Sequence, residues 1–290
     1  MSRLGIKATL RRTPLDTVHK SMKKAFQRSR LHARLHGELP WPYQHCMVTT
    51  SPPVVYLPIS KVASTNIKKW LLRESGIPEE DWVHHPLLGI NQYAQEMLHP
   101  RSMEPFSDPS YFKFVFVRDP YRRLVSGFLD KFVRPYAGQP EKLDASPARA
   151  VLTWIKARRR YATRQDACFE DFVEYVCASP NLILDKHWLP QSSFVGPIEF
   201  DFVGKMESFK RDFDIVRERA GSKVDFKIYW ERTEYRASTD AYSGATPISE
   251  LCKMDPFPSP DSFYSEGFRD RVARRYAEDF LRFGYPIHRT

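Results

Sequence analysis

VVYLPISKVASTNIKKWLL, running from Val54 to Leu72, passes from an apolar run through a short basic segment into a periodic one. Val54, Val55, Tyr56 and Leu57 are β-branched, aromatic or aliphatic without interruption, the pattern of a buried strand. Pro58 to Ala63 forms a tight turn that carries Lys61. Ser64 and Thr65 then offer N-cap chemistry to a helix whose apolar positions Ile67, Trp70 and Leu71 recur at i, i+3 and i+4. A strand, a basic loop and a helix N-terminus together make an anion site, because free backbone N–H groups and the positive helix end converge on one point. Lys61 adds a full charge, and Ser64 and Thr65 add hydroxyl donors. The glycines and the Gly-Lys-Ser/Thr order of a Walker A loop are missing. Taken alone, the stretch reads equally well as an ordinary strand-to-helix turn with a solvated lysine.

A second unit of the same kind follows in YFKFVFVRDPYRRLVSGFLDKF, Tyr111 to Phe132. Phe112 to Val117 is apolar except for Lys113, as in a central strand covered on both faces. Arg118-Asp119-Pro120 closes it, with proline suited to a first helical turn. Tyr121 to Phe132 continues as a helix with Leu124, Val125, Phe128 and Leu129 on one face. Ligands of open α/β sheets bind outside the carboxyl ends of the strands. Two units that each set a basic residue at that edge, Lys61 and Arg118, say more than either alone.

Around these units the chain is basic: 45 Lys and Arg against 35 Asp and Glu give a formal charge of +10 over 290 residues. That balance suits an anionic partner without choosing among nucleotide, nucleic acid, acidic glycan and membrane surface. Residues 1–36 hold ten Lys/Arg and one acid, Asp16, so residues 1–40 read as a basic arm or amphipathic helix ahead of a single domain over 41–290. Cys46, Cys168, Cys177 and Cys252 form neither a CxxC pair nor a metal cluster, which favours a reducing compartment. No apolar stretch approaches the roughly 18–20 residues of a membrane span. These features predict a soluble, cytoplasmic protein, with mitochondrial import left open by the Arg-rich N-terminus. That segment reads as a mobile arm or a helix packed on the domain, or else as an arm for peripheral membrane or glycan contact. Further helices are expected over Ala148–Ala162, Phe169–Cys177, Ser208–Ala220 and Phe268–Phe283, a short strand over Phe200–Val203, and a long loop over 230–262.

Several of these segments resemble one family. PISKVASTNIKKWL resembles the 5′-phosphosulfate-binding loop of sulfotransferases that use 3′-phosphoadenosine 5′-phosphosulfate (PAPS). FVFVRDPYRRLVSGFLDKF resembles their 3′-phosphate-binding strand, loop and helix. The likeness extends to the carbohydrate sulfotransferases that act on chondroitin and dermatan (sulfotransferase family 2), through Ile90-Asn91-Gln92-Tyr93, His187-Trp188, the stretch FDFVGKMES and Phe283-Gly284-Tyr285, in the family's order. Two departures stand out: an N-terminal membrane helix is absent, and Ser193 to Pro197 occupies the place of a family cysteine pair. Both agree with a cytoplasmic, bacterial member.

The resemblance implies an α/β fold, P-loop-like and three-layered, with a central, mainly parallel sheet flanked by helices. It implies transfer of a sulfuryl group from PAPS to a hydroxyl of a carbohydrate or glycolipid acceptor, an acidic one if the basic charge is a guide, and needs no metal. Lys61 would neutralise or protonate the bridging oxygen as 3′,5′-adenosine bisphosphate leaves. Ser60, Ala63, Ser64, Thr65 and Asn66 would surround the 5′-phosphosulfate, and Arg118 and Ser126 would grip the 3′-phosphate. The acceptor also needs a base titrating near neutrality. His84, His85 and His187 are the candidates, and the sequence does not separate them. Lys205 and Glu207 border the adenine or the acceptor, or serve the fold. Two other classes remain open: a P-loop-type kinase or NTPase, and a non-enzymatic basic protein that binds glycan or nucleic acid. Under the sulfotransferase reading no nucleic-acid partner is expected.

Overall fold

The computed structural model describes residues 39–78, 90–138, 143, 147–159, 166–196, 198–224, 235 and 241–287. The basic arm expected over 1–40 lies outside these residues except for its last two. A hairpin opens the described chain: β1 (Met47–Thr50) pairs antiparallel with β2 (Pro53–Leu57), and the Thr49 hydroxyl donates to the Pro52 carbonyl at 2.6 Å. Helices α1 (Ser64–Glu74) and α2 (Ile90–Met97) lead to β3 (Phe112–Val117), which lies parallel to β2. Helix α3 (Pro120–Phe128) runs into a π-helical turn, Leu129–Val133. After α4 (Ala148–Arg158) and α5 (Phe169–Ala178), β4 (Phe202–Lys205) adds in parallel to β3, giving the order β1-β2-β3-β4. Helices α6 (Phe209–Arg219), α7 (Glu266–Arg275) and α8 (Ala277–Phe283) follow. The fold is α/β with a mostly parallel sheet flanked by helices, as expected.

Val54 to Leu57 and Phe114 to Val117 are all fully buried, so both faces of the two central strands are covered. On one face Tyr56 stacks on Phe114 across β2 and β3, with ring centroids 4.9 Å apart. Trp70 of α1 meets Phe114 edge-on, and Phe209 and Phe213 of α6 meet Phe116. A second aromatic group joins Phe128 and Phe132 to Phe172 of α5 and to Trp188. Because β2, β3 and β4 run parallel, their carboxyl ends share one edge. The segments after Leu57, Val117 and Lys205 therefore gather there.

Several boundaries differ from the periodicity. Helix α1 is capped by Ala63, in the left-handed region at φ 58°, and neither Ser64 nor Thr65 bonds a backbone N–H as a cap. The helix expected over Tyr121–Phe132 changes to a π turn at Leu129, which keeps Leu129, Phe132 and Val133 buried together. The expected closing helix is two helices broken at Tyr276, whose buried hydroxyl bonds the Trp188 carbonyl. β4 begins at Phe202 rather than Phe200, with Asp201 already pairing to Lys113 through backbone and side chain. Within the expected 230–262 loop, Ile248–Leu251 forms a short helix anchored by two fully buried residues.

Candidate active site

At the carboxyl edge of the sheet lies an open cleft of about 1960 Å³. All eight residues nominated for the donor line it: Ser60, Lys61, Ala63, Ser64, Thr65 and Asn66 from one side, Arg118 and Ser126 from another. His187 lines the same cleft, while His84 and His85 lie outside the described residues. Among the described lining residues, nine Lys or Arg face three acids, Asp130, Glu207 and Asp214. An excess of positive charge at one concave edge concentrates anions there.

The loop after β2 is strained in a way that serves an anion. Lys61 and Ala63 both take positive φ, 73° and 58°, where side chains meet the backbone. Each such residue costs about 1–3 kcal/mol, comparable to what one fully buried Phe contributes. The surrounding structure supplies the restraint. Arg118 Nη1 donates to the Lys61 carbonyl at 3.3 Å, and Arg123 Nε donates to the Ser60 carbonyl at 3.0 Å. The Ala63 carbonyl accepts from Asn66 and Ile67, which starts α1. Among the described residues no acceptor meets the N–H groups of Ala63, Ser64 or Thr65, so they and two uncommitted hydroxyls open onto the cleft. That arrangement fits a phosphate or sulfate oxygen.

Lys61 reaches across the cleft to Asp130 on the π turn, Nζ to Oδ2 3.2 Å, and the same oxygen takes Lys131 at 2.9 Å. Burial pulls the Lys61 ammonium down to about 8, with Asp130 opposing the fall and Lys131 and Arg118 adding to it. Lys68, nearly buried on α1, is likewise drawn to about 8 by burial and by the charge of Lys186.

Arg118 is fixed through its backbone. The Gln191 side chain accepts from its N–H at 2.9 Å and donates to its carbonyl at 2.7 Å. Gln191 is itself held by Asp279 of α8, fully buried, whose carboxylate takes the N–H groups of Gln191 and Ser192 at 2.8 and 2.7 Å. The next residue, Asp119, caps α3 by accepting from Arg122, with Pro120 in the first turn. Its N–H donates to Glu207 at 2.9 Å, and the other Glu207 oxygen takes the Tyr285 hydroxyl, also at 2.9 Å. Lys205 lies over the Tyr285 ring, 4.7 Å from its centroid. The structure thus gives Glu207 and Lys205 bracing contacts around the Arg118 turn.

His187 pairs with Asp185, Nδ1 to Oδ1 2.5 Å, and the Asp185 carboxylate also takes the His187 N–H at 3.1 Å. With Nδ1–H donating to the carboxylate, Nε2 is the acceptor nitrogen. Burial lowers the imidazole below its usual value, and Asp185 offsets part of that fall. A neutral imidazole with an oriented tautomer is what a general base near pH 7 requires.

Arg123, only 1% exposed, joins the two halves. Besides Ser60, its guanidinium donates to the carbonyls of Leu189 at 2.9 Å and Lys186 at 3.1 Å. The donor loop and the His187 segment therefore hang on one side chain. Sequence patterning did not single out Arg123, Asp130, Asp185, Gln191 or Asp279. Their only signal was a charged or amide residue inside an otherwise matched segment.

A family model for the sulfotransferase family matches residues 44–286. Carbohydrate sulfotransferase 14 of Danio rerio is 28% identical over 255 residues, covering 85% of this chain and 64% of its own. Carbohydrate sulfotransferase 11 of Mus musculus is 30% identical over 265 residues, covering 84% and 68%. Carbohydrate sulfotransferase 8 of Homo sapiens is 26% identical over 242 residues, covering 78% and 54%. This chain thus spans between about half and two thirds of the length of these relatives. No solved structure matches it.

Proposed function

The chain belongs to the sulfotransferase family, and from that premise we propose that it transfers a sulfuryl group from PAPS to a hydroxyl of a carbohydrate or glycoconjugate. One observation carries the proposal: the residues nominated for both ends of the donor, and His187 for the acceptor, line a single cationic cleft. A donor with two separated anionic groups calls for two cationic poles. Lys61 with the N–H groups of residues 63–65 suits the 5′-phosphosulfate, and Arg118 with Ser126 suits the 3′-phosphate. The guanidinium offers paired donors in a fixed plane, which a lysine would not.

PAPS supplies a sulfuryl group on a good leaving group. As the acceptor oxygen–sulfur bond forms, the bond from sulfur to the 5′-phosphate oxygen breaks, and negative charge grows on that oxygen. The Lys61 ammonium neutralises this charge by donating to the leaving oxygen, stabilisation that is strongest where water is excluded. His187 takes the acceptor proton at Nε2, and Asp185 stabilises the imidazolium that results. The cationic lining supports an acidic acceptor.

Transfer of labelled sulfate from PAPS to a panel of glycans and glycolipids tests the reading. Lys61→Ala and Arg118→Ala should each nearly abolish transfer, and Arg118→Ala should also weaken binding of 3′,5′-adenosine bisphosphate. Wild-type turnover in both variants overturns the site assignment. Thermal stabilisation by ATP with Mg²⁺, and none by the bisphosphate, would instead favour a kinase or NTPase.

A further inference from the structure

The Lys61 side chain does not hang free in the cleft. It spans from the loop after β2 to the π turn after α3, where Asp130 meets it at 3.2 Å. The side chains of Lys61 and Asp130 are 18% and 29% exposed, so the pair is largely shielded from water. The π turn is the device that makes this contact. Widening the helix at Leu129–Val133 keeps Leu129, Phe132 and Val133 in the core while Asp130 and Lys131 line the cleft. Single π turns inside α-helices cluster at functional positions.

We propose that Asp130 is the positioning residue of Lys61, its carboxylate holding the ammonium at the donor loop and keeping it charged. The pairing with Lys131 through the same oxygen gives the contact a second property. When an anion draws Lys61 away, Lys131 still compensates the carboxylate, so no half-buried charge is stranded. Lys61 can therefore turn from Asp130 to an incoming anion without a large penalty. The proposal rests on the sulfotransferase reading for the reaction that Lys61 serves, whereas the contact itself stands on the geometry.

Among the described residues, the charged groups facing Lys61 are Asp130 and Lys131 from the π turn and Arg118 from the β3–α3 junction. Burial and the two cations favour the neutral amine, and Asp130 alone among them favours the ammonium. Removing the carboxylate should therefore lower the Lys61 titration, and removing Lys131 should raise it.

The test measures the rate at which Lys61 is acetylated by acetic anhydride as a function of pH, read by peptide mass spectrometry on the full chain. The wild-type midpoint should lie near 8. In Asp130→Asn it should fall by about one pH unit or more, in Asp130→Glu it should return towards wild type, and in Lys131→Met it should rise. The alkaline limb of kcat/KM for PAPS, which reports the free enzyme, should move in step. An unmoved Lys61 midpoint in Asp130→Asn overturns the proposal even if the variant is slow. Should Asp130→Asn fail to fold, judged by loss of its thermal transition, Asp130→Ser takes its place, and an unmoved Lys61 midpoint there overturns it. If the wild type transfers no sulfate, the reaction assignment falls, and the acetylation midpoints still decide the role of Asp130.

Discussion

At the scale of single residues, Lys61 and His187 are two titrating groups in one cleft whose settings push them to complementary roles. Burial holds the His187 imidazole below the usual histidine value, so its neutral, proton-accepting form persists to lower pH than a free imidazole's and is lost only as pH falls through that lowered value. Lys61, drawn to about 8, is a charged donor below that pH and loses its charge above it. The pH profile of kcat/KM, which reports the free enzyme, should therefore be bell-shaped, with its acid limb below the usual histidine range and its alkaline limb near pH 8. His187→Ala should reduce kcat by about 100-fold or more while bisphosphate binding stays intact. Asp185→Asn should cut the plateau by releasing the tautomer. It should also shift the acid limb further down, because Asp185 is what raises the imidazole towards neutrality. An acid limb that moves upward in Asp185→Asn would contradict this assignment.

At the scale of elements, the cleft depends on contacts that fix three parallel strand ends. Gly204 of β4 lies against Phe116 so closely that an added Cβ would meet its ring at 2.5 Å. Gly204→Ala should therefore cost about 1–3 kcal/mol through overpacking and displace Lys205 to Glu207, measurable as a lower Tm with weakened bisphosphate binding. Arg123→Met would leave the carbonyls of Ser60, Lys186 and Leu189 without their donor. Only the Leu189 contact is fully buried, so with about 1–3 kcal/mol for a buried group left unpaired and water able to reach the other two carbonyls, a loss of about 1–3 kcal/mol is expected in denaturant unfolding. The two strand–loop–helix units were legible because their signals are local: an apolar run, a proline or hydroxyl, then a 3.6-residue period. Lys61 and Arg118 could be set at the sheet edge for that reason, whereas Ser126 was nominated for the donor only through the family resemblance. Gln191 and Asp279 act across the chain, on Arg118 and on Gln191 respectively, and no periodicity reports a partner that far away. The left-handed cap at Ala63 was hidden for another reason. Ser64 and Thr65 are good capping residues, and only the path of the loop frees their hydroxyls for the cleft. The π turn escaped because Tyr121–Phe132 fits an unbroken α-helix equally well by composition.

At the scale of the whole molecule, the formal charge of +10 is unevenly spent, with nine cations and three acids lining one cleft among the described residues. If charge at this edge holds the donor, binding of 3′,5′-adenosine bisphosphate must respond to ionic strength. The screening length shrinks from about 10 Å at 0.1 M salt to about 3 Å at 1 M, so attraction from cations that do not touch the ligand fades. Contacts within each pole survive that change better than attraction from the cleft as a whole. Bisphosphate at 100 times its dissociation constant should stabilise the fold by about 2.7 kcal/mol in low salt. At the same ligand concentration in 1 M salt the Tm shift should shrink markedly, yet remain measurable because Lys61 is largely shielded from water. Lys210 and Arg211, on the cleft rim and well exposed, should account for part of the loss. A double Lys210→Ala, Arg211→Ala variant should bind more weakly at low salt and approach wild type at high salt. A Tm shift independent of salt would mean that hydrogen bonds from the loop, rather than the field of the cleft, govern capture of the donor.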